Sequence, residues 1–485
     1  MSIEFQKQRY ISPNRKRDKS DKSDKRDKSN ISDISNTSMP NKETTLSSEQ
    51  QLVFNKYIER ENIFITGPGG TGKTHLIKHI VEHAKENNKS YKVCALTGCA
   101  AILLMCGAIT LHAFAGIGLA TGSIQQVVDR VVKNRFKKQN WQKIDLLIVD
   151  EVSMLSLKIF IILDMIGRKI KKKPHLPFGG IQLIFAGDFY QLPPVGDEDD
   201  PQSTQFCFET DLWNETFPQN NQIELKTIFR QTNKEYIKIL NQLREGKITR
   251  STISLLHSRV QSPPTTLKPT ILLPRRRDAN AINNLELKKL DESTEKTYNM
   301  KIVPEEELPL TKEQLQNLSL FTDREKEYET KYLSENIIAE KEIKLRIGTV
   351  VMCIANLNVE ATVPIINGSQ GIVIDFINGY PLVEFMTGIT EVIGPHIWQS
   401  ERLPGVAIKQ IPLIYAWAIT IHKAQGLTLE RALIDIGGQI FECGQTYVAL
   451  SRIKSLEGLF LKSFDYTKIK VNKKVQEFYK GTPGG

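Results

Sequence analysis

Eight residues, Gly67-Pro68-Gly69-Gly70-Thr71-Gly72-Lys73-Thr74, satisfy the pattern G-x-x-x-x-G-K-T. In such a loop the glycines let backbone N–H groups curl around phosphate oxygens, and the lysine reaches the outer phosphates. The threonine hydroxyl can ligate Mg2+. An apolar run ends immediately before the loop and a helical pattern follows it, so the positive end of a helix dipole faces the same point. Further along, Asp150-Glu151 follows the run Leu-Leu-Ile-Val. An Asp at that place can hold the magnesium shell, and the Glu beside it can polarise an attacking water. A third run ends in Gly187-Asp188-Phe189-Tyr190-Gln191-Leu192-Pro193-Pro194. Gln191 is the candidate for a polar group that senses the γ-phosphate, and the two prolines stiffen the exit from that turn. This set predicts nucleotide hydrolysis, with Lys73, Glu151 and Gln191 in catalytic roles and Thr74 and Asp150 as metal ligands.

The elements that must position these residues are legible as short apolar runs at 63–66, 93–97, 146–150 and 181–186, separated by helical patterns at 75–86 and 157–172. Strands of that texture are buried on both faces of a parallel sheet, and ligands sit beyond their carboxyl ends. A second series lies at 270–273, 416–420, 433–436 and 459–461. Between them, runs at 349–354, 371–376 and 381–385 are punctuated by Asn367-Gly368 and Asn378-Gly379, which are hairpin signals. Residues 347–410 therefore read as a small antiparallel barrel inserted into a second α/β domain. Residues 295–345 are charged and read as helix or loop.

Composition narrows the class. The chain has 485 residues, more than one core needs, and a formal net charge of +10. That charge fits a polyanionic partner without proving one. No apolar run approaches the length of a membrane span, and the N-terminus shows neither a secretory nor a mitochondrial leader, which predicts a nuclear or cytoplasmic location. The six cysteines form no C-x-x-C pair, so a disulfide framework or zinc ribbon is not expected. Residues 1–45 carry eleven basic and seven acidic residues, including the rhythm DKSDKSDKRDKS. They read as a disordered, charged spacer or nucleic-acid arm. His75, His79 and His83 share a helix face, but with no H-E-x-x-H or cysteine pair nearby they read as packing residues rather than metal ligands.

With these motifs in hand, the chain resembles the Pif (petite integration frequency) family of superfamily-one DNA helicases over residues 46–468. Leu46-Ser47-x-Glu49-Gln50 is similar to the family's adenine-reading motif. Thr97-Gly98-Cys99-Ala100-Ala101 and the stretch Thr110 to Gly118 resemble motif Ia, and Asp150-Glu151-Val152-Ser153-Met154 resembles motif II. Pro177-Phe178-Gly179-Gly180-Ile181-Gln182-Leu183, running into Gly187-Asp188-Phe189, resembles the family signature and motif III. Phe229-Arg230-Gln231 resembles motif IV, Thr420 to Thr428 motif V, and Tyr447-Val448-Ala449-Leu450-Ser451-Arg452 motif VI. The motif V triplet has Ala424 where the family usually has Ser.

The resemblance implies two tandem RecA-like α/β domains, at 46–225 and 226–468. It adds a wedge near 117–141, an SH3-like insertion at 347–410, and a C-terminal tail at 469–485. It implies ATP as substrate, with Gln50 and residues Gly67, Pro68, Gly69, Gly70, Thr71, Gly72, Lys73 and Thr74 binding it, and Mg2+ as cofactor. Arg230 and Arg452 would come from the second domain to neutralise the transferring phosphoryl group. Thr97, His112, Phe114, His422, Lys423, Tyr447 and Ser451 are the expected contacts to single-stranded DNA, since they combine hydrogen bonds, charge and π-faces. The implied activity is 5′-to-3′ translocation by a monomer with unwinding of duplex or structured DNA, in replication, repair, recombination or telomere-type maintenance. A translocase with little unwinding and a RecD-like subunit are the alternatives. A GTPase is disfavoured because Asn233-Lys234-Glu235-Tyr236 lacks the guanine-reading Asp.

Overall fold

The computed structural model of the chain describes residues 46–481, except 105, 198, 264–268, 312–313, 316–317, 319–320, 358–364, 366–367, 401–402 and 404. The charged segment 1–45 and the hairpin signal at Asn367 lie outside the described residues. Six strands form the first sheet: β1 (Ile63–Thr66), β2 (Tyr91–Ala95), β3 (Ile109–Thr110), β4 (Leu146–Asp150), β5 (Gln182–Ala186) and β6 (Gln222–Glu224). Their order is β3-β2-β4-β5-β1-β6, and every pair is parallel. Strands β1, β4 and β5 are buried end to end. Alternate residues feed two cores, as the pleat requires. Ile63 and Ile65 pack with Leu76, Ile77 and Ile80 of helix Lys73–Glu86. Phe64 faces the other way, into a core shared with Phe160 and Leu163 of helix Leu157–Lys171.

A second parallel sheet runs in the order Ala418–Thr420, Thr270–Leu273, Ala432–Ile436, Leu459–Phe464. The same chain region carries a five-stranded antiparallel sheet, in the order Thr390–Val392, Tyr380–Phe385, Gln370–Ile377, Val350–Cys353, Leu413–Tyr415. Asn378 and Gly379 form its two-residue turn at φ 52° and 82°, and Ile377 pairs directly with Tyr380. Both positions need positive φ, so Asn-Gly suits them. The sheet's last strand lies beyond the expected limit at 410 and leads directly into the second parallel sheet.

Two segments, 295–345 and 469–485, depart from the sequence expectation. Within 295–345, Lys296–Asn299 pairs with Glu342–Leu345, and Lys301–Val303 pairs with Ala407–Gln410. These strands are short and mostly exposed, so they show no buried apolar run to read. The stretch near 117–141, expected as a wedge, contains helices Ile124–Lys133 and Arg135–Lys143, with Val127, Val131 and Trp141 buried in the core that also holds Phe64 and Phe160. Residues 469–485, expected as a tail, include helix Lys473–Lys480, whose Val475 and Tyr479 are buried in that same core.

Candidate functional site

The loop between β1 and helix Lys73–Glu86 reverses the chain through Gly67, Gly70 and Gly72, at φ 134°, 90° and 80°. A Cβ on Gly67 would stand 2.3 Å from Leu225 O, and one on Gly70 would stand 2.7 Å from Arg230 Cβ. Glycine is required there by both conformation and space. The helix starts at Gly72 without a side-chain cap, so its first amides face the loop and form an anion cradle. Lys73 Nζ folds over the cradle, donating to Gly67 O at 2.7 Å and Pro68 O at 3.1 Å. Burial pulls its pKa down, opposed by the charges of Asp188, Glu151 and Asp150. Thr71 Oγ1 donates to Pro68 O at 2.9 Å. The exposed Thr74 opens the helix's first turn. Gln50 is buried against the loop. Its oxygen caps helix Ser48–Ile58 by accepting from Ser47 N, and its Nε2 donates to Thr71 O at 3.4 Å.

Strand β4 ends in Asp150, and Glu151 leaves the sheet in a left-handed conformation at φ 56°. Glu151 N donates to Asp150 Oδ1 at 2.8 Å. Burial and the neighbouring Glu151 push the Asp150 carboxyl up to about 7. Such a raised carboxyl marks a place where cationic charge is wanted. Thr74 and Asp150 supply a hydroxyl and a carboxylate, two hard oxygen donors. That sparse donor set fits Mg2+, which completes its shell with water and phosphate oxygens. Gln191 is buried, its N donates to Asp188 O at 2.8 Å, and its side-chain oxygen has no partner among the described residues.

Residues 229–231 and 447–452 complete the site. Phe229 N donates to Gly70 O at 2.8 Å. Arg230 Nη1 and Gln231 Nε2 both reach Ser451 O, at 3.0 and 3.3 Å. Arg452 Nε donates to Val448 O and its Nη2 donates to Ser451 Oγ. A Cβ on Gly69 would lie 3.7 Å from Arg452 Nη2, so this guanidinium is beside the phosphate loop. Burial, then the adjacent Arg452, pushes Arg230 down to about 9. Burial also lowers Arg452, while Glu151 opposes the shift. Neither arginine forms an ion pair among the described residues, so two neighbouring cations, Arg452 buried and Arg230 partly buried, lie at the phosphate cradle.

Three expected DNA contacts are placed elsewhere. Tyr447 is buried at the phosphate loop, accepting from Gly69 N at 2.8 Å and donating to Asp188 Oδ2 at 3.3 Å. Ser451 is buried between the arginines, and its Oγ donates to Val448 O. Phe114 is a core residue packed on Trp141, 5.1 Å between centroids. The other four retain some exposure. Thr97 accepts from Ala100 N at 3.2 Å. His112 lines a cavity of about 350 Å³ with Lys137 and Tyr328. His422 stacks on Phe441 at 6.4 Å, and Lys423 Nζ lies 3.4 Å from Glu340.

Sequence reasoning missed Gln425, whose Nε2 donates to Glu151 Oε2 at 3.0 Å. It also missed Arg244, whose guanidinium binds Asp188 at 3.0 Å and Glu224 at 3.1 Å. Gln425 lay within a quoted motif and could have been tested there. Arg244 reads in sequence as an ordinary helix-surface cation and gave no signal.

Residues 45–253 match the PIF1-like helicase family model, and residues 330–376 match that of the DNA helicase Pif1 2B domain. The ATP-dependent DNA helicase PIF1 of Xenopus laevis is 35% identical over 451 residues, which cover 91% of this chain and 65% of that protein. The chain thus spans just under two thirds of that relative. The crystal structure of Pif1 helicase from Candida albicans superposes with a TM-score of 0.68 at 32% identity, covering 90% of this chain and 99% of that one. The Bacteroides Pif1 helicase in complex with ADP-AlF3 and single-stranded DNA gives 0.60 at 28% identity, covering 90% and 96%.

Proposed function

The chain belongs to the PIF1-like helicase family, and we propose that it is an ATP-dependent DNA helicase that moves 5′-to-3′ on single-stranded DNA and unwinds duplex. The observation that carries this reading is the meeting of Arg230 and Arg452 with the phosphate loop of the other domain. Residues 46–225 and 226–468 act as the two RecA-like domains. Residues 117–141 serve as the wedge, residues 347–410, which carry four strands of the antiparallel sheet, as the SH3-like insertion, and residues 1–45 as a non-specific DNA arm.

In this reading the loop amides and Lys73 bind the phosphates, and Gln50 fixes the loop from behind. Glu151 takes a proton from the attacking water while Gln425 holds its carboxylate in place. Gln191 orients the same water through its unpaired side-chain oxygen. A magnesium ion held by Thr74 and Asp150 would offset charge on the β and γ oxygens. Arg230 and Arg452 stabilise the charge that develops on the transferring group. The test is ATP turnover with and without single-stranded DNA, beside strand displacement from 5′-tailed and 3′-tailed duplexes. DNA-stimulated turnover and displacement only from the 5′ tail are expected, and Lys73→Ala abolishes both. Near-normal turnover in Lys73→Ala would remove the phosphate-loop assignment.

A further inference from the structure

We propose that helix Lys473–Lys480 belongs to the ATPase machinery and that Tyr479 is a positioning residue for the phosphate loop, an inference that rests on the site being an ATPase. Tyr479 is buried, and its hydroxyl does two things at once. It shares a hydrogen bond of 2.6 Å with Thr66 Oγ1 and accepts from Phe189 N at 3.1 Å. Thr66 is the last residue of β1, directly before Gly67, and Phe189 lies in the turn between Asp188 and Gln191. One hydroxyl from the far end of the chain therefore ties the root of the phosphate loop to the turn that carries Gln191. Tyr447 makes a parallel tie three residues on, from Gly69 N to Asp188. The loop and the sensing turn are thus joined at two points by tyrosines from outside the first sheet.

Docking of the helix does not depend on that hydroxyl. Phe478 stacks on Phe208 at 4.4 Å and meets Phe189 at 5.3 Å. Gln476 Nε2 donates to Glu245 O at 3.1 Å, and the Tyr479 ring itself stacks on Tyr190 at 4.8 Å. Phenylalanine would fill the same space and keep the same ring contacts. Burying a hydroxyl is costly unless it is hydrogen-bonded, so the oxygen is specified by Thr66 and Phe189 rather than by packing. Because Arg244 lies over the rings of Tyr190 and Tyr479 while binding Asp188, the second domain's helix Lys234–Glu245 shares the same buried joint.

The experiment uses the full chain. Tyr479→Phe, Thr66→Val, Thr66→Ser and the Phe/Val double variant are compared in DNA-stimulated ATP turnover, DNA affinity without nucleotide, and thermal midpoint. One hydrogen bond's worth of misplacement predicts a kcat loss of about tenfold in Tyr479→Phe and in Thr66→Val. KM for ATP should move by less than about threefold, the split expected when alignment rather than binding is lost. The double variant should lose no more than either single variant, and Thr66→Ser should stay close to wild type. A kcat within about twofold of wild type in Tyr479→Phe, or losses that multiply in the double variant, overturns the proposal. So does a lowered midpoint with unchanged kcat, which would make the hydroxyl a core contact only. If Tyr479→Phe does not fold, the Thr66 pair reads the same bond from its other end, and wild-type turnover in Thr66→Val overturns the role. A wild-type chain without ATP turnover would instead sink the ATPase reading, and this inference with it.

Discussion

Lys423 and His422 are neighbours in sequence and differ in what they can offer a DNA strand. Lys423 is tied to Glu340 at 3.4 Å, both side chains being partly exposed, so a phosphate must compete with that carboxylate for the ammonium. Exposed pairs of this kind are worth only ~0–1 kcal/mol, which a polyanion can overcome. Glu340→Gln should therefore tighten single-strand binding by about two- to fivefold at low salt. Lys423→Ala should weaken it and reduce the log–log salt slope by ~0.7. Burial holds His422 below its usual 6.5, so near pH 7.5 it is neutral. His422→Ala should weaken binding with the slope unchanged. Anisotropy titrations across a salt series read all three variants, and an unchanged slope in Lys423→Ala would take that lysine off the DNA track. At this scale the sequence located the neighbourhood better than the direction. Tyr447 and Ser451 stand in a motif whose helix is buried throughout, and residue types alone do not tell which face turns to phosphate and which to DNA. Phe114 is a large apolar side chain, and the core claimed it.

Helix Gln445–Leu450 shows how one element touches both the phosphate loop and the turn that carries Gln191. It begins at Gly444, at φ 73°, with no side-chain cap. A Cβ on Gly444 would lie 2.5 Å from Tyr190 O and 2.6 Å from Gln191 O. Backbone atoms cannot yield as a flexible side chain can, and the left-handed conformation adds roughly 1–2 kcal/mol for a non-glycine residue. Gly444→Ala should push the helix that carries Tyr447, and Arg452 just beyond it, away from the sensing turn. The expected result is at least about a tenfold loss of DNA-stimulated turnover with a lower thermal midpoint. Normal turnover would show that the helix and the turn move independently. The long buried strands were readable because each is a continuous apolar run flanked by polar residues. Strands β3 and β6 are two and three residues long, too short for any periodicity. Helix Lys473–Lys480 buries only two of eight residues, and its lysine-rich sequence resembles a solvated tail. Its hydrogen-bond partners lie some 230 to 410 residues away in the chain, which no local pattern can encode.

Across the whole molecule, the proposed link between turnover and movement rests on two adjacent cations, Arg452 buried and Arg230 partly buried. In the proposed closure, Arg230 and Arg452, already neighbours beside Ser451, meet Lys73 across the cleft and lose solvation; Arg452 further lowers Arg230. Two like charges in that position oppose closure unless an anion lies between them and Lys73. A nucleotide with its γ-phosphate supplies that charge, and a site that has released phosphate supplies less. In this proposal the closed arrangement is favoured before hydrolysis and weakened after it, which would move the DNA-contacting surfaces on either side of the cleft relative to each other once per turnover. A lysine at either position keeps one positive charge but loses the planar fork that lets Arg230 hold Ser451 O while facing the phosphate. Arg230→Lys and Arg452→Lys should each bind single-stranded DNA normally without nucleotide. Each should lose about a thousandfold or more in DNA-stimulated hydrolysis, the scale of an arginine finger, and unwind nothing. Stopped-flow phosphate release beside anisotropy measures both quantities on one preparation. If one variant hydrolyses ATP normally, that arginine is a structural link between Ser451 and its own segment. If both do, chemistry does not require closure, and the coupling between ATP and movement must arise elsewhere in the chain.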